Sequence, residues 1–128
     1  MKGIEYLDIE DALRLVRRLG VGPVRDLGLL DSALARPRAF VLGADAYPTI
    51  ALKAAALLTS VAGNHALVDG NKRLGWLATL VFLDLNGSAV DVVDEAVVDL
   101  VIDVAAGATD VEQAAEWVSA LAYPTPRR

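Results

Sequence analysis

Asn64-His65-Ala66-Leu67-Val68-Asp69-Gly70-Asn71-Lys72-Arg73, with the run from Leu74 to Asn86 behind it, decides how this chain is read. Leu74, Leu77, Ala78, Val81, Phe82 and Leu85 recur at i, i+3, i+4, i+7, i+8 and i+11, the spacing of one helical face. Trp76, Leu80 and Leu83 fill the other faces, leaving Thr79 and Asp84 as the clearly polar side chains. A helix apolar all round belongs in a core. Asn86-Gly87 marks its end. Its first turn carries Asn71, Lys72 and Arg73, so chargeable groups gather where free N–H groups and the helix dipole favour an anion.

Upstream, Ala51, Ala54, Ala55, Leu58 and Ala62 repeat at helical spacing up to Gly63, and Pro48 is read as the first residue of that helix. Small residues on the stripe let another helix come close. The natural partner is the Leu74–Asn86 helix, reached through a loop of about seven residues. Nearer the N-terminus, Ile9 to Leu19 reads as a helix capped by Asp8, with Asp11 as its partner. Ile9, Ala12, Leu13 and Val16 form its buried stripe, Gly20 stops it, and Arg14, Arg17 and Arg18 form a solvated face. Gly20 to Pro23 is a turn. A second helix covers Leu27 to Ala35, with Leu27, Leu30 and Leu34 on one side and Pro37 closing it. Ala39 to Tyr47 is irregular and reads as a small hairpin or flap, with Phe40-Val41-Leu42 as a strand and Gly43-Ala44-Asp45 as a turn.

Downstream, Gly87 to Val93 is extended and Asp94 caps a fifth helix that ends at Gly107. Val97, Leu100, Val101 and Val104 point inward there, and Asp99 and Asp103 outward. Thr109-Asp110-Val111-Glu112 reads as a capping box opening a last helix to Leu121. Pro124 and Pro126 break the chain, and Arg127-Arg128 reads as a frayed tail. The expected architecture is all-α: one domain over residues 1–128, a compact bundle of about six helices with its core between residues 4 and 122.

The composition agrees with that class. A chain of 128 residues that is 55% apolar can build one real core. Its net charge of -5 does not suit general nucleic-acid binding, which needs clustered cations, so any phosphate site must be local. The absence of cysteine removes disulfides, thiolate zinc sites and thiol nucleophiles, and suits a cytoplasmic protein. Glu5, Asp8 and Glu10 follow the first residues at once, which is not a secretory pattern. The uncharged run Leu74 to Leu83 is too short for a bilayer, which needs about 20 residues, so no membrane span is expected.

The chemistry sits in the loop. His65 is the only histidine, and histidine is the side chain best suited to take a proton near neutral pH. A lone histidine at a helix end is more often structural, but Asp69, Asn71, Lys72 and Arg73 follow within eight residues. Asp69 reads alone as a helix N-cap. Beside bound phosphates, however, its carboxylate calls for a divalent cation, and Mg²⁺ is commonly held by one or two carboxylates plus phosphate oxygens. Gly70 lets the backbone turn and a ligand approach. Asn71 can orient without charge, and Lys72 and Arg73 can take phosphate. Cations at a helix N-terminus are disfavoured by about 0.3–1 kcal/mol each, which argues that an anion belongs between them.

His65 to Arg73 resembles the signature of the Fic/Doc family, His-Pro-Phe-x-Asp/Glu-Gly-Asn-Gly/Lys-Arg, in the Doc-type variant with lysine at Lys72. Asp26 to Pro37, Tyr47-Pro48 and Phe82 to Gly87 are similar to the flanking Doc-type regions, so the resemblance runs from about residue 4 to 120. It implies that His65 is the general base for a protein hydroxyl, that Asp69 holds Mg²⁺, and that Gly70, Asn71, Lys72 and Arg73 form the anion hole for ATP. It also implies that lysine crowds the hole and reverses the nucleotide, so that the γ-phosphoryl group is transferred, to a threonine of elongation factor Tu in that branch. AMP transfer, common in the wider family, stays open, as does a catalytically inactive binding protein. The segment Ala39–Tyr47 corresponds to the flap that receives the target. Ala66 and Leu67 stand where the family has Pro and Phe; a looser loop with surviving activity is the expectation. No inhibitory Ser/Thr-x-x-x-Glu-Gly/Asn helix is found in this chain, so the resemblance implies a Phd-like antitoxin acting in trans.

Overall fold

The computed structural model describes residues 3–91 and 95–126. Six α-helices carry the fold: α1 (Ile9–Leu19), α2 (Leu27–Ala35), α3 (Ile50–Gly63), α4 (Asn71–Leu85), α5 (Glu95–Ala105) and α6 (Val111–Leu121). A single 3-10 turn, Arg36–Arg38, follows α2. Two small antiparallel pairs complete it: β1 (Phe40–Val41) with β2 (Ala44–Asp45), and β3 (Ser88–Ala89) with β4 (Tyr123–Pro124). No helix among the described residues is long and apolar enough to cross a membrane.

Helix α3 is central because its sequence leaves almost no polar side to expose. Ala54, Ala55, Ala56, Leu57, Leu58, Val61 and Ala62 are all buried. One side packs with α1, α2 and α4 around Val16, Leu30, Leu57, Leu74 and Phe82; the other packs with α5 and α6 around Leu58, Val97, Val104 and Ala114. The small-residue stripe does what its spacing implies: a β carbon on Gly75 of α4 would sit 3.0 Å from Ala62 Cβ. The seven-residue spacing and the α3–α4 partnership are therefore as read. Two buried hydroxyls on this pair find carbonyl partners. Ser60 Oγ donates 2.7 Å to the Ala33 carbonyl, joining α2 to α3, and Thr79 Oγ1 donates 2.8 Å to the Gly75 carbonyl.

Several expectations shift. The buried face of α4 is Leu74, Gly75, Ala78, Thr79, Phe82 and Leu83, while Leu77, Val81 and Leu85 are only half-buried. A helix apolar on every side does not reveal its phase, so the small and hydroxyl residues that permit close approach to α3 chose it. Leu27 is 54% exposed, and Ala33 takes the inward position on α2. Pro48 lies before α3, whose cap is Thr49, accepting 3.1 Å from the Leu52 amide. The last helix is capped by Asp110 with Gln113 as its reciprocal partner, one residue on from the Thr109 frame. Asp8 and Asp11 do form the capping box read from the sequence, and α1 has the expected bounds. The hairpin between residues 39 and 47 is present, but its turn is at Leu42 and Gly43, both at positive φ as a tight two-residue hairpin turn requires, and Ala44-Asp45, read as turn, form its second strand. The Asp94 cap and the Arg127-Arg128 tail lie outside the described residues.

Candidate active site

The loop between α3 and α4, residues 64–70, is built as a shelf. Ala66 and Leu67 are both 2% exposed, so Leu67 anchors the loop in the core where an aromatic ring was expected in the family pattern. The connection between α1 and α2 runs antiparallel beside it. The Gly22 amide donates 2.9 Å to the Asp69 carbonyl, and the Val68 amide donates 3.0 Å to the Pro23 carbonyl. The Arg25 and Asp26 amides both donate to the Ala66 carbonyl, at 2.8 and 3.1 Å. From the other side Asn71 clamps Leu67: its Oδ1 accepts 2.9 Å from the Leu67 amide and its Nδ2 donates 3.0 Å to the Leu67 carbonyl. The loop is therefore fastened along both edges, and the looseness expected of Ala66-Leu67 does not appear in its hydrogen bonding.

This shelf puts His65 and the start of α4 on one opening. An exposed cleft of about 430 Å³ is lined by His65, Val68, Asp69, Gly70, Asn71, Lys72 and Arg73. Every sequence-derived site residue is in that lining. His65 lies two residues past the end of α3, at φ +56, and its side chain is exposed. Its carbonyl accepts from Arg25 Nη2. Gly70 is the N-cap of α4 at φ +93, and a β carbon there would lie 2.5 Å from Val21 Cγ1, so only glycine fits.

Asp69 is not the cap. Its side chain is 81% exposed and its Oδ2 lies 3.5 Å from Arg73 Nη2. No side chain caps α4, and its first turn holds no acidic residue. Lys72 makes no ion pair among the described residues. The tip of α4 therefore offers free amides beside two exposed cations and one unburied carboxylate. Such a tip can hold phosphate oxygens on its N–H groups and guanidinium, and the carboxylate can share a divalent cation with them. The donor set fits that arrangement and not a cage made by protein alone: no cluster of three or more acidic or histidine ligands occurs among the described residues. Oδ1 and Nδ2 of Asn71 each bond Leu67, so this lining residue also fixes the shape of the loop beside it.

Three features were not read from the sequence. Val21, in the turn read over Gly20 to Pro23, packs against Gly70, and Arg25, just beyond that turn, bonds the His65 carbonyl. Lys53, on the small-residue helix, is 1% exposed, with Nζ 3.2 Å from the Pro37 carbonyl and 3.5 Å from Asp45 Oδ2 on the hairpin. An apolar groove of about 430 Å³ runs between α4 and α5, lined by Trp76, Leu77, Leu80, Val98 and Ile102 among others, and its wall also includes Lys72 and Arg73.

Comparison with known proteins adds two findings. A profile of the Fic/DOC family matches residues 5–83. A protein of Mycolicibacterium smegmatis named "Toxin Doc" is 59% identical over 85 residues, a match covering 65% of this chain and 65% of the relative's length.

Proposed function

Because this chain belongs to the Fic/DOC family, we propose that it is a toxin of a toxin–antitoxin pair that moves the γ-phosphoryl group of ATP onto a hydroxyl of a target protein, a threonine of elongation factor Tu. The observation that carries the reading is the common cleft of His65, Asp69 and the uncapped tip of α4. His65 takes the proton from the target hydroxyl, an effect worth about 10²–10⁴ in rate. The freed oxygen attacks the phosphorus and ADP leaves. The amides of residues 71–73, with Lys72 and Arg73, bind and orient the phosphates, and Asn71 keeps the loop in the shape that allows it. Asp69 would hold Mg²⁺ together with the phosphates, supplying charge neutralisation when bound. Positioning and electrostatics supply most of the catalysis in such transfers.

The hairpin tip supports the protein-substrate part of the reading. Phe40, Val41 and Leu42 are contiguous, apolar and exposed, and such patches serve partners. The α4–α5 groove supports an antitoxin in trans. A helix with an apolar stripe and an acidic residue would fill the groove and reach Lys72 and Arg73, closing the site by charge complementarity.

The deciding experiment incubates the protein and elongation factor Tu with ATP labelled at the α or the γ position. Label from the γ position on the target, lost in His65→Ala, is the expected result. Label from the α position would replace phosphoryl transfer with AMP transfer, and no label with a folded protein that binds Mg-ATP would leave a binding role.

A further inference from the structure

His65 is held in an unusual way. It and Leu42 are the non-glycine residues with positive φ among the described residues. Side-chain-bearing residues seldom rest there without help, because the β carbon crowds the following carbonyl. Leu42 has a hairpin turn to enforce it. His65 follows α3 without glycine's freedom, and its position decides where the ring points. The next carbonyl along, that of Ala66, is secured by two backbone amides, from Arg25 and Asp26. The His65 carbonyl is secured by a side chain, the Arg25 guanidinium, reaching across from the α1–α2 connection.

We infer that Arg25 is the positioning residue of His65: its guanidinium holds the His65 peptide in the left-handed conformation that turns the imidazole toward the cleft of residues 69–73. The inference rests on the proposed role of His65 as base but concerns a residue that lines no part of that cleft. Arg25 is exposed, so its removal does not open the core. Its backbone bond to Ala66, like that of Asp26, does not depend on its side chain, so the strap survives substitution. Without the tether, the peptide relaxes toward negative φ and the ring swings with it.

The test uses the full chain with Arg25→Met and Arg25→Lys. His65 is the only histidine, so its ring C–H resonances are an unambiguous reporter by NMR. In Arg25→Met these resonances shift and broaden while the melting temperature and the thermal stabilisation by Mg-ATP stay near wild type. Toward elongation factor Tu, kcat falls about ten- to hundredfold, the size of loss that follows a small misplacement, with the KM for ATP unchanged. Arg25→Lys keeps a donor and recovers part of kcat and of the wild-type ring signals. Ring resonances superposing on wild type in Arg25→Met overturn the inference, as does a loss confined to the KM for ATP. If the wild-type protein transfers nothing, the activity reading fails by itself, and the ring resonances still decide the role of Arg25.

Discussion

Lys53 offers the sharpest energetic test of the fold. Its side chain is 2% exposed, and its ammonium lies 3.5 Å from Asp45 Oδ2, 3.2 Å from the Pro37 carbonyl and 5.6 Å from the centre of the Tyr6 ring. Asp45, on β2, is 48% exposed. The pair is thus buried at one end and wet at the other, and it ties the hairpin to α3. Removing one member of a fully buried pair costs about 3–5 kcal/mol, because the remaining charge loses its partner in a poor solvent. A half-wet carboxylate is worth less, since water can replace it. Asp45→Ala should therefore destabilise by about 1–2 kcal/mol, with the carbonyl and ring contacts of Lys53 retained. At this chain length that lowers the melting temperature by roughly 3–8 °C.

Lys53→Met behaves differently. It fills nearly the same volume, removes the buried charge and leaves only the Pro37 carbonyl short of a donor, a cost of about 1 kcal/mol set against the desolvation recovered. Its net effect is smaller than that of Asp45→Ala. Asp45→Ala added to Lys53→Met should then do nothing further, because the interaction it breaks is already gone. Urea unfolding of the two single variants and the double variant measures all three values. An Asp45→Ala protein as stable as wild type, or strictly additive losses, would refute the argument that this charge depends on its hairpin partner.

Three further outcomes follow from the site and the tail. Gly70→Ala combines a positive φ with overlap on Val21, a cost of about 2–4 kcal/mol, and should abolish stabilisation by Mg-ATP in a thermal shift assay. Asn71→Ala removes both bonds to Leu67 and should cost about 2 kcal/mol by chemical denaturation, with a steeper loss of transfer than of stability. Tyr123 donates 2.6 Å to Asp91 Oδ1, and that bond to a carboxylate raises its phenol above the ordinary value of 10.0. The protonated form is the one that bonds, so this contribution to stability is complete below pH 10.0 and disappears as pH rises through the raised value. In an ultraviolet titration Tyr123→Phe should delete a tyrosine step that lies above the ordinary phenol value.

What the sequence disclosed, and what it hid, divides by range. The bounds of α1, the Asp8–Asp11 box, the hairpin and the loop ahead of α4 depend on residues a few places apart, and periodicity or turn chemistry is enough to find them. At the last helix two overlapping frames competed, Thr109 with Glu112 and Asp110 with Gln113. The carboxylate at Asp110 took the cap, accepting 2.8 Å from the Gln113 amide. The rotation of α4 was hidden because its apolar residues surround the axis and the choice was made by Ala62 on another helix. Arg25 bonds a carbonyl 40 positions away, and the charge of Lys53 is sheltered by a hairpin and a proline carbonyl that no local pattern connects to it. The six residues of the candidate site were legible as a cluster; the side chains that hold them in place were not.

The helix termini themselves separate the site from the scaffold. α1, α2, α3 and α6 each begin with a side chain that accepts from an amide in the first turn: Asp8, Asp26, Thr49 and Asp110. A good cap of this kind is worth about 1 kcal/mol, and the chain uses it at each of these four helices. At α4 it does not. There the cap is a left-handed glycine with no side chain to offer, and the next residues bring two cations to the positive end of the dipole. Asp69 offsets little of this, because both members of its pair with Arg73 are more than half exposed. His65, a non-glycine at positive φ, lies in the same loop. Three separate choices against stability thus converge on one cleft, in a chain that follows the rules at its other described caps. So concentrated a departure supports the proposed phosphate site, since a bound phosphate would satisfy the free amides and both cations together.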